Sequence, residues 1–136
     1  MRPRTLIYAG ALCAVAAATF AGLWLRVPLK VDVIRDRATL ARETREGLIE
    51  NVYRLQIMNT HEQARRFVIT ARGPETLTVS TREAVEVRAA STEAVAVALR
   101  VDPAVVRQGA YDVVFHIEAV DEPRVSTSEK SRFFVR

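Results

Sequence analysis

Two rhythms of hydrophobic and polar residues divide the chain. Twenty residues from Leu6 to Leu25 carry no charge at all. At about 1.5 Å of rise per residue, a helix over this run reaches about 30 Å, the thickness of a bilayer core. Tyr8 and Trp24 stand near its ends, where amphipathic rings favour the membrane interface. The run therefore predicts a transmembrane helix within residues 1–28. A cleaved signal is the rival, with Arg2 and Arg4 as its charged start and Ala16-x-Ala18 as its cleavage site. The continuation through Leu23-Trp24-Leu25 favours the anchor. Leu12 is too bulky for the position before a lipid-bearing cysteine, so Cys13 reads as an apolar filler of the helix.

From residue 29 the period changes to two, the mark of strands with one face buried. Leu29, Val31 and Val33 alternate with Lys30 and Asp32. Val52, Leu55 and Ile57 anchor a run from Glu50 to Met58. Phe67 and Ile69 precede a Gly73-Pro74 turn, and the pairs Leu77/Val79 and Val85/Val87 form short strands. Val95 to Val101 alternates cleanly and stops at Asp102-Pro103. Tyr111, Val113, Phe115 and Ile117 form the next strand; Phe133 and Val135 form the last. Seven or eight short strands without a long amphipathic helix predict an all-β fold, an immunoglobulin-like antiparallel β-sandwich over residues 29–136 preceded by one transmembrane α-helix. Arg35 to Gly47 holds too few apolar residues for a buried helix and reads as a loop or edge segment. Gly109-Ala110-Tyr111-Asp112-Val113 has the form of a tyrosine corner opening the penultimate strand, or of a tyrosine at the core edge after a glycine turn. Val113 then takes the position of the second cysteine of immunoglobulin domains.

Charge changes the picture only near the start. Residues 1–29 hold three arginines and no acid, whereas the rest holds 17 bases against 16 acids. The domain is nearly neutral, so the overall net charge of +4 is not a nucleic-acid footprint. Arg2 and Arg4 flank the apolar run on one side and Arg26, Lys30, Arg35 and Arg37 on the other. A bare count of these charges opposes export, but long domains translocate largely regardless of charge. The reading adopted places the N-terminus inside and the domain outside.

Candidate chemistry is sparse. One cysteine cannot make an internal disulfide, a zinc site or an iron–sulfur site. Nucleophile elbows, phosphate loops and zinc-helix motifs are absent from the sequence. Met58, His61 and His116 are weak candidate metal ligands, with copper the metal that a thioether and imidazoles would suit. Asp121-Glu122 precedes a proline and reads as a turn. Arg35, Arg37, Arg42 and Arg45 follow the helix, interleaved with Asp36, Glu43 and Glu46. Their plain reading is a solvated, salt-paired face; their sharper one is contact with lipid headgroups or a membrane partner.

Three blocks add a resemblance. Arg26-Val27-Pro28-Leu29-Lys30-Val31-Asp32-Val33-Ile34-Arg35-Asp36-Arg37, the stretch from Arg42 to Asn59, and Glu129-Lys130-Ser131-Arg132-Phe133-Phe134 resemble the C-terminal part of the cytochrome c oxidase accessory proteins, the CcoG/FixG family. The resemblance includes the preceding helix with Arg2-Pro3-Arg4-Thr5-Leu6-Ile7-Tyr8. It implies a bacterial inner-membrane protein with a periplasmic immunoglobulin-like domain, assisting assembly of cbb-type oxidase by reducing copper on its way there. It also implies two four-iron clusters held by cysteine-rich segments. This chain has only Cys13, so no electron-transfer residue carries over, no cofactor is expected in it, and catalysis by it alone is not expected. The chain looks like the last helix and C-terminal domain of such a protein. The partners implied are the membrane, oxidase subunits or a copper carrier. The alternative is a stand-alone exported β-sandwich that binds a partner or carries copper.

Overall fold

The computed structural model describes residues 2–35, 41–81 and 84–136. Helix α1, Pro3–Trp24, opens with proline at its first turn, where the missing N–H costs nothing. None of its residues is buried, and it is long and apolar enough to cross a bilayer. Thr19 returns its hydroxyl to the Val15 carbonyl at 2.9 Å, so the polar side chain is satisfied within the helix.

Among the described residues nine strands follow: β1 (Leu29–Arg35), β2 (Arg42–Glu43), β3 (Ile49–Asn59), β4 (Arg65–Arg72), β5 (Thr78–Ser80), β6 (Val85–Val87), β7 (Ser91–Val101), β8 (Gly109–Ala119) and β9 (Ser126–Val135). One sheet has the order β1-β3-β7-β5, with β2 also paired to β3; the other has the order β6-β4-β8-β9. All pairings are antiparallel. The expected sandwich is therefore observed. Of the ambiguous segment, Arg35 ends β1 and the described residues 41–47 form β2 and a tight hairpin. Gly47 N–H bonds Thr44 O at 3.0 Å, and Thr44 N–H bonds Leu48 O at 2.8 Å. Gly47 has φ 78°, the left-handed position that such a three-residue loop requires.

The core is the sum of the inward phases of both sheets. Tyr53, Leu55 and Ile57 of β3 and Val97 and Leu99 of β7 face Phe67 of β4, Val113, Phe115 and Ile117 of β8 and Phe133 of β9, all fully buried. Each such side chain gains about 1.5–3 kcal/mol from burial. Tyr53 and Phe115 meet edge-on at 5.1 Å between ring centres. Val113 is fully buried at the position where many immunoglobulin domains carry a cystine. Tyr111 donates its hydroxyl to the Arg107 carbonyl at 2.8 Å, four residues upstream, which is the tyrosine-corner bond.

Polar side chains of β3 close one flank between the sheets. The buried Asn51 amide donates to Phe134 O at 2.9 Å and accepts from Phe134 N–H at 3.4 Å. Tyr53 donates its hydroxyl to Arg132 O at 2.8 Å. Burial pushes the Tyr53 hydroxyl far above the ordinary tyrosine range, with the Arg35 charge pulling weakly the other way. Side chains of β3 thus do for the backbone of β9 what another strand would do.

Candidate functional site

The register fixes which loops lie at the end where the helix enters. Leu29 pairs with Asn59, and Asn59 pairs with Ser91. The β3–β4, β6–β7 and β8–β9 connections therefore lie at the end where α1 joins, only Leu25 to Pro28 away. Thr60 N–H bonds the Pro28 carbonyl at 3.3 Å and ties that linker to the β3–β4 loop. Asn59 organises the same end. Its buried amide nitrogen reaches the carbonyls of Gln63, Val87 and Arg88 at 2.8, 3.1 and 3.2 Å.

The arginines singled out from the sequence are not brought together. Arg35 sits at the far end of β1, six strand steps or about 20 Å from Leu29, with its guanidinium 4.4 Å above the Phe134 ring. Arg42 and Arg45 lie in the hairpin at the end opposite the helix. Arg37 lies outside the described residues. β1 thus separates Arg35, Arg42 and Arg45 from the helix that they follow in sequence.

Arg42 instead enters a triad that the sequence reading missed. Glu50, 2% exposed, accepts from Arg42 Nη2 at 2.5 Å and from Arg100 Nε at 2.7 Å. The carboxylate lies on the outer side of the sheet, under side chains from β2 and β7. Burial alone would raise its pKa; the hydrogen bonds and charges of Arg100 and Arg42 outweigh that and hold it below the ordinary value. Arg42 and Arg100 are 65% and 36% exposed, so the triad fastens three strands rather than lining a closed pocket.

The candidate metal ligands also lie apart. Met58 is half-buried on β3, opposite Lys30 and Thr92. His61 lies in the loop beyond Asn59, and its Nδ1 accepts the Gln63 N–H at 3.2 Å. Neutral His61 thus carries its proton on Nε2, and a metal there would have to break this arrangement. His116 belongs to β8 in the other sheet. Its Nδ1 lies 2.9 Å from Ser128 Oγ and its Nε2 3.4 Å from Glu118 Oε2. That serine–histidine–carboxylate row is a cross-strand ladder. Backbone N–H groups of a sheet lie in its plane, so none is aimed at an oxyanion above Ser128.

A four-iron cluster needs four thiolates. Cys13, the one cysteine, is exposed on the apolar helix, so these residues do not fit such a group.

This sandwich can be set beside known proteins. The family described as "IG-like fold at C-terminal of FixG, putative oxidoreductase" matches residues 19–136. The chain belongs to the FixG C-terminal family. A FixG-related protein from Vibrio parahaemolyticus, solved by crystallography, superposes with a TM-score of 0.69 at 20% identity, covering 79% of this chain and 95% of that one. Alpha-2-macroglobulin of Escherichia coli superposes at 0.56 and 14% identity, over 82% of this chain and 17% of that one. These likenesses show a shared fold. No curated relative matches the chain. Within this FixG C-terminal chain, the matched region takes in the end of the apolar helix and the described sandwich, an immunoglobulin-like module.

Proposed function

We propose that this FixG C-terminal chain is the membrane-anchored, periplasmic interaction module of a cbb-type cytochrome c oxidase accessory protein. In this reading it supports oxidase assembly and copper maturation by holding partners, and iron–sulfur redox chemistry belongs to cysteine-rich sequence other than this one. The observation that carries the reading is the family match across residues 19–136, which joins the apolar helix to the sandwich. Two features of the fold support a binding role. The described candidate ligands lie apart, Met58 in one sheet, His116 in the other and His61 in a loop, and the domain joins the helix through only four residues, which in this reading keeps its near end at the membrane surface. Copper is cargo in this reading, delivered past the domain and not held by it.

The test is a deletion of residues 29–136 in the organism that encodes the chain, with the apolar helix kept. Oxidase activity and copper per haem in isolated membranes are measured beside the unmodified strain. The expected outcome is a loss of both, partly restored by added copper. Unchanged activity and copper content would refute the reading.

A further inference from the structure

We propose that the end of the sandwich nearest the bilayer binds a zwitterionic phospholipid headgroup in the recess between Arg66, Glu86 and Asp121, its phosphate against the arginine and its amine against the carboxylates. The inference deepens the membrane-anchored reading above and rests on it.

The neck between helix and domain is short. Leu25 N–H bonds Ala21 O at 3.0 Å and Arg26 N–H reaches Leu23 O at 3.4 Å, so helical bonding continues to Arg26. The domain takes hold of the chain at Pro28, whose carbonyl accepts the Thr60 N–H at 3.3 Å. Val27 alone lies between, and a residue before proline favours extended backbone. Two steps of helical rise and three extended steps place Leu29 at most about 13 Å beyond Trp24. A tryptophan favours the headgroup level, and the polar layer adds about 5–8 Å to each side of the hydrocarbon core. The end of the domain at Leu29 therefore borders the headgroups of the bilayer that α1 crosses.

The recess lies at that level. Asn59 pairs with Leu29, and its amide reaches Val87 O at 3.1 Å. Val87 in turn pairs with Arg65, the first residue of β4. Ala64, Arg65, Arg66, Glu86, Val120 and Asp121 line a recess of about 270 Å³ here. Its walls are already ordered. Val120 N–H bonds Arg66 O at 2.9 Å, Val125 N–H bonds Glu122 O at 2.9 Å, and Arg65 Nη1 holds Glu122 Oε2 at 3.1 Å. Little side-chain and loop ordering is then left to oppose binding.

The charges decide the kind of ligand. Arg65 is engaged by Glu122 and its side chain is only 10% exposed, so Arg66 is the base that faces outward. Arg66 and Glu86 stand opposite each other in the β4–β6 pairing, both exposed. Among the described residues no ion pair joins them, and none takes up Asp121. Opposite charges kept apart around one recess suit a group that carries both signs. A strongly basic end would select anionic lipid instead. The loops at this end hold Glu62, Asp121 and Glu122 against Arg88 and Arg124, so they carry no such excess. Val120, 55% exposed, gives the recess an apolar wall for the carbon chain between phosphate and amine.

The test uses the full chain in nanodiscs of an uncharged galactolipid carrying a small share of either a phosphatidylethanolamine or a phosphatidylglycerol. The nuclear magnetic resonance signals of Arg66 Nε–H and the Asp121 amide are followed as that share rises. Both should shift, and the ethanolamine lipid should bind about threefold more tightly, as one exposed ion pair allows. Amides of the far hairpin from Thr44 to Gly47 should stay unchanged. Glu86→Gln together with Asp121→Asn should erase the preference while keeping a response to both lipids, and Arg66→Gln should abolish both responses. No shift with either lipid, equal binding of both by the unmodified chain, or shifts at Thr44 to Gly47 as large as at Asp121 would overturn the proposal. The comparison of lipids on the unmodified chain decides this without the variants. If the chain does not stay with the nanodiscs, the anchored reading itself falls; if it stays and these signals are silent, only the recess falls.

Discussion

Replacing Asn51 with leucine tests whether side chains of β3 really substitute for a strand along β9. Leucine keeps the branching of the side chain and suits the inward position, although its methyl groups need more room than the amide beside Phe134 O. What is lost is the donor to Phe134 O at 2.9 Å and the acceptor for Phe134 N–H at 3.4 Å. An unsatisfied buried polar group costs about 1–3 kcal/mol. Phe134 is only half-buried and the second bond is long, so water recovers part of this and about 2 kcal/mol remains. For a domain of this size each kcal/mol lowers Tm by about 4–8 °C, which gives a fall of roughly 8–16 °C. Thermal unfolding followed by circular dichroism measures the shift, and amide exchange at Phe134 localises it. Tyr53→Phe removes the neighbouring bond to Arg132 O, and the two changes should be non-additive because both release the same edge. A loss below about 0.5 kcal/mol would refute the latch, as would an unchanged Phe134 amide.

Two further consequences follow from contacts elsewhere in the sandwich. Glu50→Gln removes a carboxylate whose folded pKa lies below its unfolded value. Its contribution is therefore present above about pH 4.3 and is lost as pH falls through the folded value, so the variant should show a shallower loss of stability than the parent in acid titration from pH 6 to 3. Equal slopes would exclude Glu50 as a source of acid sensitivity. Gly73→Ala should cost about 1–3 kcal/mol, because its Cβ would meet Val113 Cγ1 at 2.8 Å and Leu77 Cδ2 at 2.9 Å; an unchanged denaturant midpoint would show that these side chains yield freely.

The long strands were legible because large apolar residues recur at alternate positions, and Leu55 and Ile57 of β3, Val95 to Val101 of β7 and Val113 to Ile117 of β8 are buried in that phase, although in β3 the inward residue is Tyr53 and Val52 is only half-buried. The tyrosine corner was legible because glycine, tyrosine and a buried valine stand at fixed offsets. Asn51 and Asn59 share the inward phase of Tyr53, Leu55 and Ile57, so the alternation itself carried a signal of buried amides that a purely apolar reading passes over. The Glu50 triad was not legible, because its arginines come from strands separated in sequence and paired only through the β3–β7 register. The spread of Arg35, Arg42 and Arg45 along the sandwich was not legible for a related reason. Adjacency in sequence was taken as adjacency in space, whereas one extended strand intervenes.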